Sequence, residues 1–562
     1  MGEGILGLWD GHGAGVALVA EGRLVFALSE ERPCRRKRHS GFPHQSLALA
    51  LEYAQREGIE IGTVAVAGAR GRSPLRLLET VYAGSSPHRE PLGLASRAAM
   101  AWENRVPGLP LVGGLEPLPA RLLLRRRLGR RLGSPLRLHP VDHHDAHAYG
   151  ALLGRGRERA LVLTADAYGE GRSGTLRRGD HPEHTLAHWH GDLGLALLYG
   201  AVTVALGFSE GDEGKVMGLA ATGDPSLGLH RFRSLFADTD TPRLRRSLTR
   251  RRIAHLVAGL DRADAAAALQ AWVEQLTERW VRALLQEHPT PRLHLAGGLF
   301  ANVRINQVLA GLPGLEGLFV FPAMGDEGLA AGAAHALWHR QRGSLAAPLD
   351  GASLGVHRSE RALRDAAHIS GLRVQRVEPA AAAVGHLAAG RVVCRYTGRD
   401  EYGPRALGDS SILFRADRPE LAARVNRALG RDSIMAFAPI MPVEAVAEAV
   451  RSPLTPQDLG WMTITADATP LLAERCPVSV HVDGTARPQL VTPQGDLALH
   501  DLLDAWRRHS GQPALINTSF NLHGEPIVHS PGDAVRSFVA SGLDVLLLGD
   551  WELRPQRIGG RS

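Results

Sequence analysis

The sequence predicts a mixed α/β protein of two domains, and three observations carry that reading. The chain has 562 residues, more than one hydrophobic core usually organises, so two domains with a binding cleft are the natural division. An apolar strand, an acidic glycine-bearing turn and a second strand occur twice. Ile5–Trp9 runs through Asp10-Gly-His12-Gly13 into Gly15–Val19, and Ala160–Thr164 runs through Asp166-Ala-Tyr-Gly169 into Ser173–Leu176. Strand, glycine turn and helix then follow one another twice more.

The first of these later segments is Arg292–Ala296, which leads into Gly297, Gly298, Asn302 and a helical stretch. Such a turn lets a nucleotide approach the backbone at a helix N-terminus. The second is Phe319–Pro322, followed by Gly325-Asp326-Glu-Gly328 and the alanine-rich stretch Leu329–Trp338. From Gly343 to Gly355 small and turn residues replace helical periodicity, which marks a linker. The expected domains are therefore 1–345 and 357–562, joined by 346–356. In the second domain Arg391–Tyr396, Ala514–Asn517 and Asp544–Leu548 read as buried strands.

Hydrophobic residues make up 44% of the chain and charged residues 22%, a globular and not a disordered composition. The net charge of +7 favours anionic ligands, but the arginines are scattered, and the clusters Arg125–Arg127 and Arg130–Arg131 read equally as a solvated helix face. The charge alone decides nothing about a partner, and nucleic acid is not the expected one. Three cysteines without a C-x-x-C pair indicate neither a disulfide framework nor a cysteine zinc site, and fit a reducing cytoplasm. The longest uncharged run, Leu193 to Ser209, falls short of the roughly 20 residues that span a bilayer, so no membrane association is expected.

Several segments carry chemistry. His143 and His147 in Asp142-His-His-Asp-Ala-His147 are four residues apart, which on a helix sets both imidazoles on one face. With Asp166 and Asp326 they would make a mixed N/O donor set suited to iron(II), manganese or zinc; by spacing alone the pair serves equally in a helix cap or core. Ser209–Val216 superficially resembles a phosphate-binding P-loop, but Ser209 replaces its first glycine and Val216 its magnesium-binding hydroxyl, so that reading is rejected. Lys215 stays a candidate for contact with a phosphate or an acceptor. The run Gly398-Arg399-Asp-Glu401-Tyr-Gly403-Pro404-Arg405-Ala-Leu-Gly408 is too broken for a helix and offers backbone amides with guanidinium donors, a combination suited to phosphate. Asn517-Thr-Ser-Phe-Asn521 with Gly524-Glu525-Pro526 follows a strand and offers amide and hydroxyl donors.

Taken together, these segments resemble the carbamoyltransferase family that includes the enzymes of nodulation-factor, cephamycin and aminoglycoside carbamoylation. The resemblance rests on Glu30-Glu-Arg32 with Gly41-Phe-Pro43, His143-His-x-x-His147, Gly214-Lys-Val-Met-Gly-Leu-Ala220, Leu295-Ala-Gly-Gly298 with Asn302, the Gly398–Gly408 run, and Asn517 through Val528, in that order. It implies an N-terminal duplicated actin-like (RNase H-like) ATPase superfold and a C-terminal YrdC-like α/β domain. It also implies an ATP-dependent O-carbamoyltransferase, in which carbamoyl phosphate and ATP give carbamoyl-adenylate and the carbamoyl group passes to a hydroxyl of a small molecule such as a natural product or sugar.

The same resemblance assigns residues. His143, His147, Asp166 and Asp326 match the metal cluster; His12, His143 and Asp326 match catalytic positions. Lys37, Asp166, Gly298, Asn302 and Asp326 match carbamoyl-adenylate contacts, and His12 and Lys215 acceptor contacts. Arg399, Arg405, Arg431, Arg487 and Asn517 match the carbamoyl phosphate and ATP set. The implied cofactors are ATP, Mg2+ and a divalent transfer-site metal, with Fe2+ ahead of Mn2+ or Zn2+, and a homodimer is compatible with the apolar helix-rich composition. Three positions depart from the family pattern: Gly13 and Ala14 follow His12 where an aspartate is usual, Leu429 replaces a lysine, and His523 replaces an arginine. The competing expectations are a tRNA-modifying carbamoyl-type transferase and a nucleotide-driven actin-like binding protein.

Overall fold

The computed structural model describes residues 2–68, 124–126, 128–129, 136–154, 159–191, 193–431 and 437–556. Arg127, Arg130, Arg131 and most of the stretch from Arg70 to Arg137, where acceptor-facing loops are expected, lie outside these residues. The chain divides into two units, residues 1–30 with 38–349 and residues 31–37 with 350–562.

The first unit contains two five-stranded sheets. One is built from β1 (Gly2–Trp9), β2 (Gly15–Ala20), β3 (Arg23–Ser29), β4 (Ile59–Ala67) and β5 (Arg137–Val141), in the order β3-β2-β1-β4-β5. The other uses β6 (Leu161–Gly169), β7 (Arg172–Arg178), β8 (Thr185–His190), β9 (Arg292–Ala296) and β10 (Gly317–Val320), in the order β8-β7-β6-β9-β10. In both, the first three strands form an antiparallel meander, and the last two join the first strand in parallel. One chain path used twice is the duplicated actin-like, RNase H-like arrangement the resemblance implied. The strands are mostly apolar and buried, β2 along its whole length, because helices cover the sheets.

One helix crossing places the site. The helix Leu329–Arg342 packs on β1, β2 and the helix His143–Ala151. Its alanines are small for this reason: at Gly332 a Cβ would stand 1.7 Å from the carbonyl oxygen of Ala146, between the two candidate histidine ligands. Glycine alone permits that approach. The helix is entered through the turn Asp326–Gly328, so the crossing carries Asp326 toward His143 and His147.

The second unit is built on an eight-stranded mixed sheet, in the order Arg373–Arg376, Trp551–Arg554, Val545–Leu548, Val393–Tyr396, Ser410–Arg415, Leu515–Ser519, Ala438–Pro442, Gln489–Val491. The three strands read from the sequence lie at its centre or beside it. Trp506, Leu503 and Leu499 of the helix Leu497–Ser510 fill the core against Val393, Leu413 and Leu515. Two details differ from expectation. Ser353–His357, which runs from the expected linker into the expected second domain, is a strand paired with Arg399–Glu401, and Arg399 donates Nε–H and Nη2–H to the carbonyls of Gly355 and Leu354. Asp166 does not sit at a hairpin tip: β6 continues past it to Gly169 with a register irregularity, and the turn falls at Glu170-Gly171.

Candidate functional site

In the first unit, the helix His143–Ala151 is capped by Asp142, whose carboxylate accepts the amides of His144 and Asp145. One oxygen of Glu170 accepts the amide of His143. Trp9 meets the His143 ring edge-on at 5.9 Å. These contacts aim two imidazoles at two carboxylates. His147 Nε2 lies 3.1 Å from His143 Nε2 and 3.1 Å from Asp166 Oδ2, and both Nε2 atoms lie 3.6 Å from Asp326 Oδ1.

The electrostatics fit a cation. Burial disfavours a charged His147, yet the carboxylates of Asp166 and Asp326 overcome it and hold its pKa up at about 9. Burial likewise opposes ionisation of Asp166, and the two histidines outweigh it and keep that carboxyl well below its usual range. One donor atom from each of His143, His147, Asp166 and Asp326 falls within 4.8 Å of the others. Two imidazoles and two carboxylates so close form a donor set that a divalent metal of borderline hardness fits. His144, between them, turns away: its ring bonds Thr164 Oγ at 2.9 Å, and burial drives its pKa down to about 3.

The other residues predicted for this unit fall around the cluster or apart from it. A Cβ on Gly298 would come 3.0 Å from Asp166 Oδ1, so this backbone borders the donor set directly. Asn302 caps the helix Val303–Ala310, and its Nδ2 donates to Gln270. His12 is exposed in the turn after β1, where its carbonyl accepts Trp9 Nε1–H at 2.7 Å. Gly13, where the family usually has aspartate, adopts φ +68° and faces the backbone of Glu327. Lys215 pairs with Asp212 at 3.4 Å on its own helix. Lys37 belongs to the second unit.

In the second unit the two long motifs meet. Asn517 donates both Nδ2 hydrogens, to the carbonyl of Ala406 and to Gln489 Oε1, leaving its buried Oδ1 without a protein partner. Gln489 donates in turn to the carbonyl of Leu407. Arg487 is buried, and its Nε has no protein partner. Burial, and then the neighbouring charge of Arg405, push its pKa well below the usual arginine range. A buried guanidinium with a like charge nearby is a position that an anion would satisfy. Arg431 donates to Thr518, Ser519 and Asn521 and so fixes the turn after Asn517. The two departures in this unit are neighbours: His523 donates its amide to the carbonyl of Leu429 at 2.9 Å.

Sequence reasoning left Glu401, Gln489 and Arg32 without roles. Glu401 Oε1 accepts the amides of Leu407 and Ser410, and its Oε2 faces Arg32. The only sequence signal for Arg32 was its place in the Glu30-Glu-Arg32 motif.

Fold and site together define a two-unit α/β protein with a duplicated actin-like domain, a candidate metal centre in one unit and a candidate anion site in the other. The chain belongs to the carbamoyltransferase family. Residues 127–335 match the family's Carbamoyltransferase N-terminus and residues 384–554 its Carbamoyltransferase C-terminus. It is similar to nodulation protein NolNO of Sinorhizobium fredii, 31% identical over 97% of this chain and 79% of the relative. It is also similar to the 3'-hydroxymethylcephem-O-carbamoyltransferase of Amycolatopsis lactamdurans, 24% identical over 98% of this chain and 99% of the relative. Among solved structures, full-length HypF in a phosphate- and nucleotide-bound form overlaps with a TM-score of 0.30 at 11% identity, covering 60% of this chain and 56% of that one. That overlap is too loose to bear on the assignment, which rests on sheet order and sequence. Among the described residues no helix is long and apolar enough to cross a membrane.

Proposed function

We propose that this carbamoyltransferase is ATP-dependent and acts in two steps, activating carbamoyl phosphate in the second unit and transferring the carbamoyl group to a small-molecule hydroxyl in the first. The observation that carries this reading is the buried Arg487, close enough to Arg405 to feel its charge, in the same unit as the buried Asn517 Oδ1 that no protein group satisfies. Such a cradle is costly to fold and is offset by a bound phosphate, as in carbamoyl phosphate or ATP.

In the activation step, water cleaves the phosphate from carbamoyl phosphate, leaving carbamate and inorganic phosphate. A carbamate oxygen then attacks the α-phosphorus of ATP, and pyrophosphate leaves with the electron pair of the broken P–O bond. Arg405 and Arg487 hold the anionic oxygens in line, and Mg2+ accompanies the nucleotide. In the transfer step, the acceptor hydroxyl oxygen bonds the carbamoyl carbon, AMP leaves, and the hydroxyl proton passes to a base, for which His12 after β1 is the candidate by family position.

His143, His147, Asp166 and Asp326 would hold a divalent metal, Fe2+ in preference to Mn2+ or Zn2+, which would supply charge stabilisation for the oxygens of the group being transferred. Gly298 keeps Asp166 accessible from the backbone side, and Lys37 and Asn302 are assigned to the adenylate by family position. In this reading the second unit is YrdC-like, and the acceptor is a natural product or sugar. The test is mass spectrometry of a panel of polyhydroxylated acceptors incubated with the protein, carbamoyl phosphate, ATP, Mg2+ and Fe2+. A carbamoylated product that requires both carbamoyl phosphate and ATP is expected; carbamoylation independent of ATP contradicts the two-step route.

A further inference from the structure

Arg32 is an arginine buried to 2% exposure, on a seven-residue excursion that belongs to the second unit although the chain on either side belongs to the first. Its guanidinium donates to the carbonyl of Glu401 at 3.1 Å, to Glu401 Oε2 at 3.4 Å and to the carbonyl of Val528 at 3.3 Å. Val528 closes the motif that Asn517 opens, and Glu401 lies in the loop that carries Arg405. Arg35, three residues on, repeats the pattern, donating to the carbonyls of Ile527 and Pro526. A single excursion therefore clasps both motif loops.

The path from Arg32 to the cradle is short and complete. One oxygen of Glu401 is engaged by Arg32, and the other accepts Leu407 N–H at 3.2 Å and Ser410 N–H at 2.8 Å. Between those amides and Arg405, the carbonyls of Ala406 and Leu407 are held by Asn517 and Gln489. The backbone that bears Arg405 is thus fixed through Glu401 on one side and through the sheet on the other. A buried ion pair is weak evidence for stability, because desolvation offsets its attraction, and its best-attested use is to fix one arrangement over others. Arg32 has its donors directed at protein acceptors, so it acts through Glu401 and not on a ligand.

We propose that Arg32 is a positioning residue for the anion cradle: through Glu401 it sets where Arg405 stands, and the excursion 31–37 is a working part of the activation site. The inference rests on the activation reading of the second unit, and the experiment separates the two. Pyrophosphate release without acceptor is followed in the full-length wild type, Arg32→Ala, Glu401→Gln and the double variant, alongside backbone hydrogen exchange across residues 405–411. The expected result is a fall in kcat of about 100-fold for Arg32→Ala, the scale of a small misplacement, with the KM for ATP changed far less. Added guanidinium should restore part of the Arg32→Ala rate and none of the Glu401→Gln rate, and the double variant should be no worse than either single one.

Exchange should quicken at Leu407 and Ser410 while the sheet core keeps its protection. Wild-type kcat with wild-type protection in Arg32→Ala overturns the inference, as does a uniform loss of protection in both Arg32→Ala and the milder Glu401→Gln. If wild type itself releases no pyrophosphate, the activation reading fails, and the exchange pattern still decides whether Arg32 positions the loop.

Discussion

The Nε2 atoms of His143 and His147 face each other at 3.1 Å, and Asp166 Oδ2 stands 3.1 Å from the second of them. Two imidazole lone pairs do not share such a space unless a proton or a cation lies between them. Replacing His147 by alanine should therefore weaken divalent-metal binding by more than the about 10–100-fold typical of losing an outer-shell partner. Titration calorimetry with Mn2+ or Zn2+ measures this directly.

The same pair sets a pH dependence. His147 is held at about 9 against a free value near 6.5. In the metal-free protein its contribution to stability is therefore full below about pH 6.5 and is lost as pH rises through about 9. Metal must displace that proton, so affinity should climb with pH up to about 9 and level off above. Metal binding in a series of buffers checks the slope, and Asp166→Asn should flatten it.

A second pH effect belongs to Asp409. Burial, and then the charge of Glu401, push its carboxyl up to about 8, while Ser353 Oγ–H donates to it. A carboxyl raised from about 4 favours folding below that value and loses its contribution as pH rises through about 8. Asp409→Asn should remove this component and leave thermal stability flatter between those limits, as calorimetric melting at several pH values will show.

Arg487 trades stability for function. Buried and near the charge of Arg405, it opposes folding, and in the proposed activation site a bound anion would offset that cost. Arg487→Met should raise stability by on the order of 1 kcal/mol and abolish the stabilisation by pyrophosphate that is expected of the wild type. Denaturant melts with and without pyrophosphate test both halves.

Local chemistry made much of this legible in the sequence. The repeated strand and acidic-turn pattern gave β1–β2 and β6–β7, and the i, i+4 spacing of His143 and His147 placed both on one helix face. Asp326 was less visible, because what brings it to the histidines is the approach of Gly332 to Ala146, a contact between helices distant in sequence. The strand Ser353–His357 was hidden for a similar reason: a short strand with a single partner strand depends on Arg399 from elsewhere in the chain. Arg399 and Arg431 read as ligand contacts because guanidiniums suit phosphates, but guanidiniums suit backbone carbonyls too, and the contacts of each with Leu354 and Ser519 appear only in the folded structure. Arg32 and Glu401 had no readable role, since neither makes sense without the other.

The most direct test of two sites with separate tasks is pyrophosphate release from carbamoyl phosphate, ATP, Mg2+ and Fe2+ without acceptor, in wild type, Arg405→Ala and His143→Ala. The account predicts release that requires carbamoyl phosphate, is lost in Arg405→Ala and persists in His143→Ala. ATP left intact, or hydrolysed to ADP regardless of carbamoyl phosphate, would contradict it.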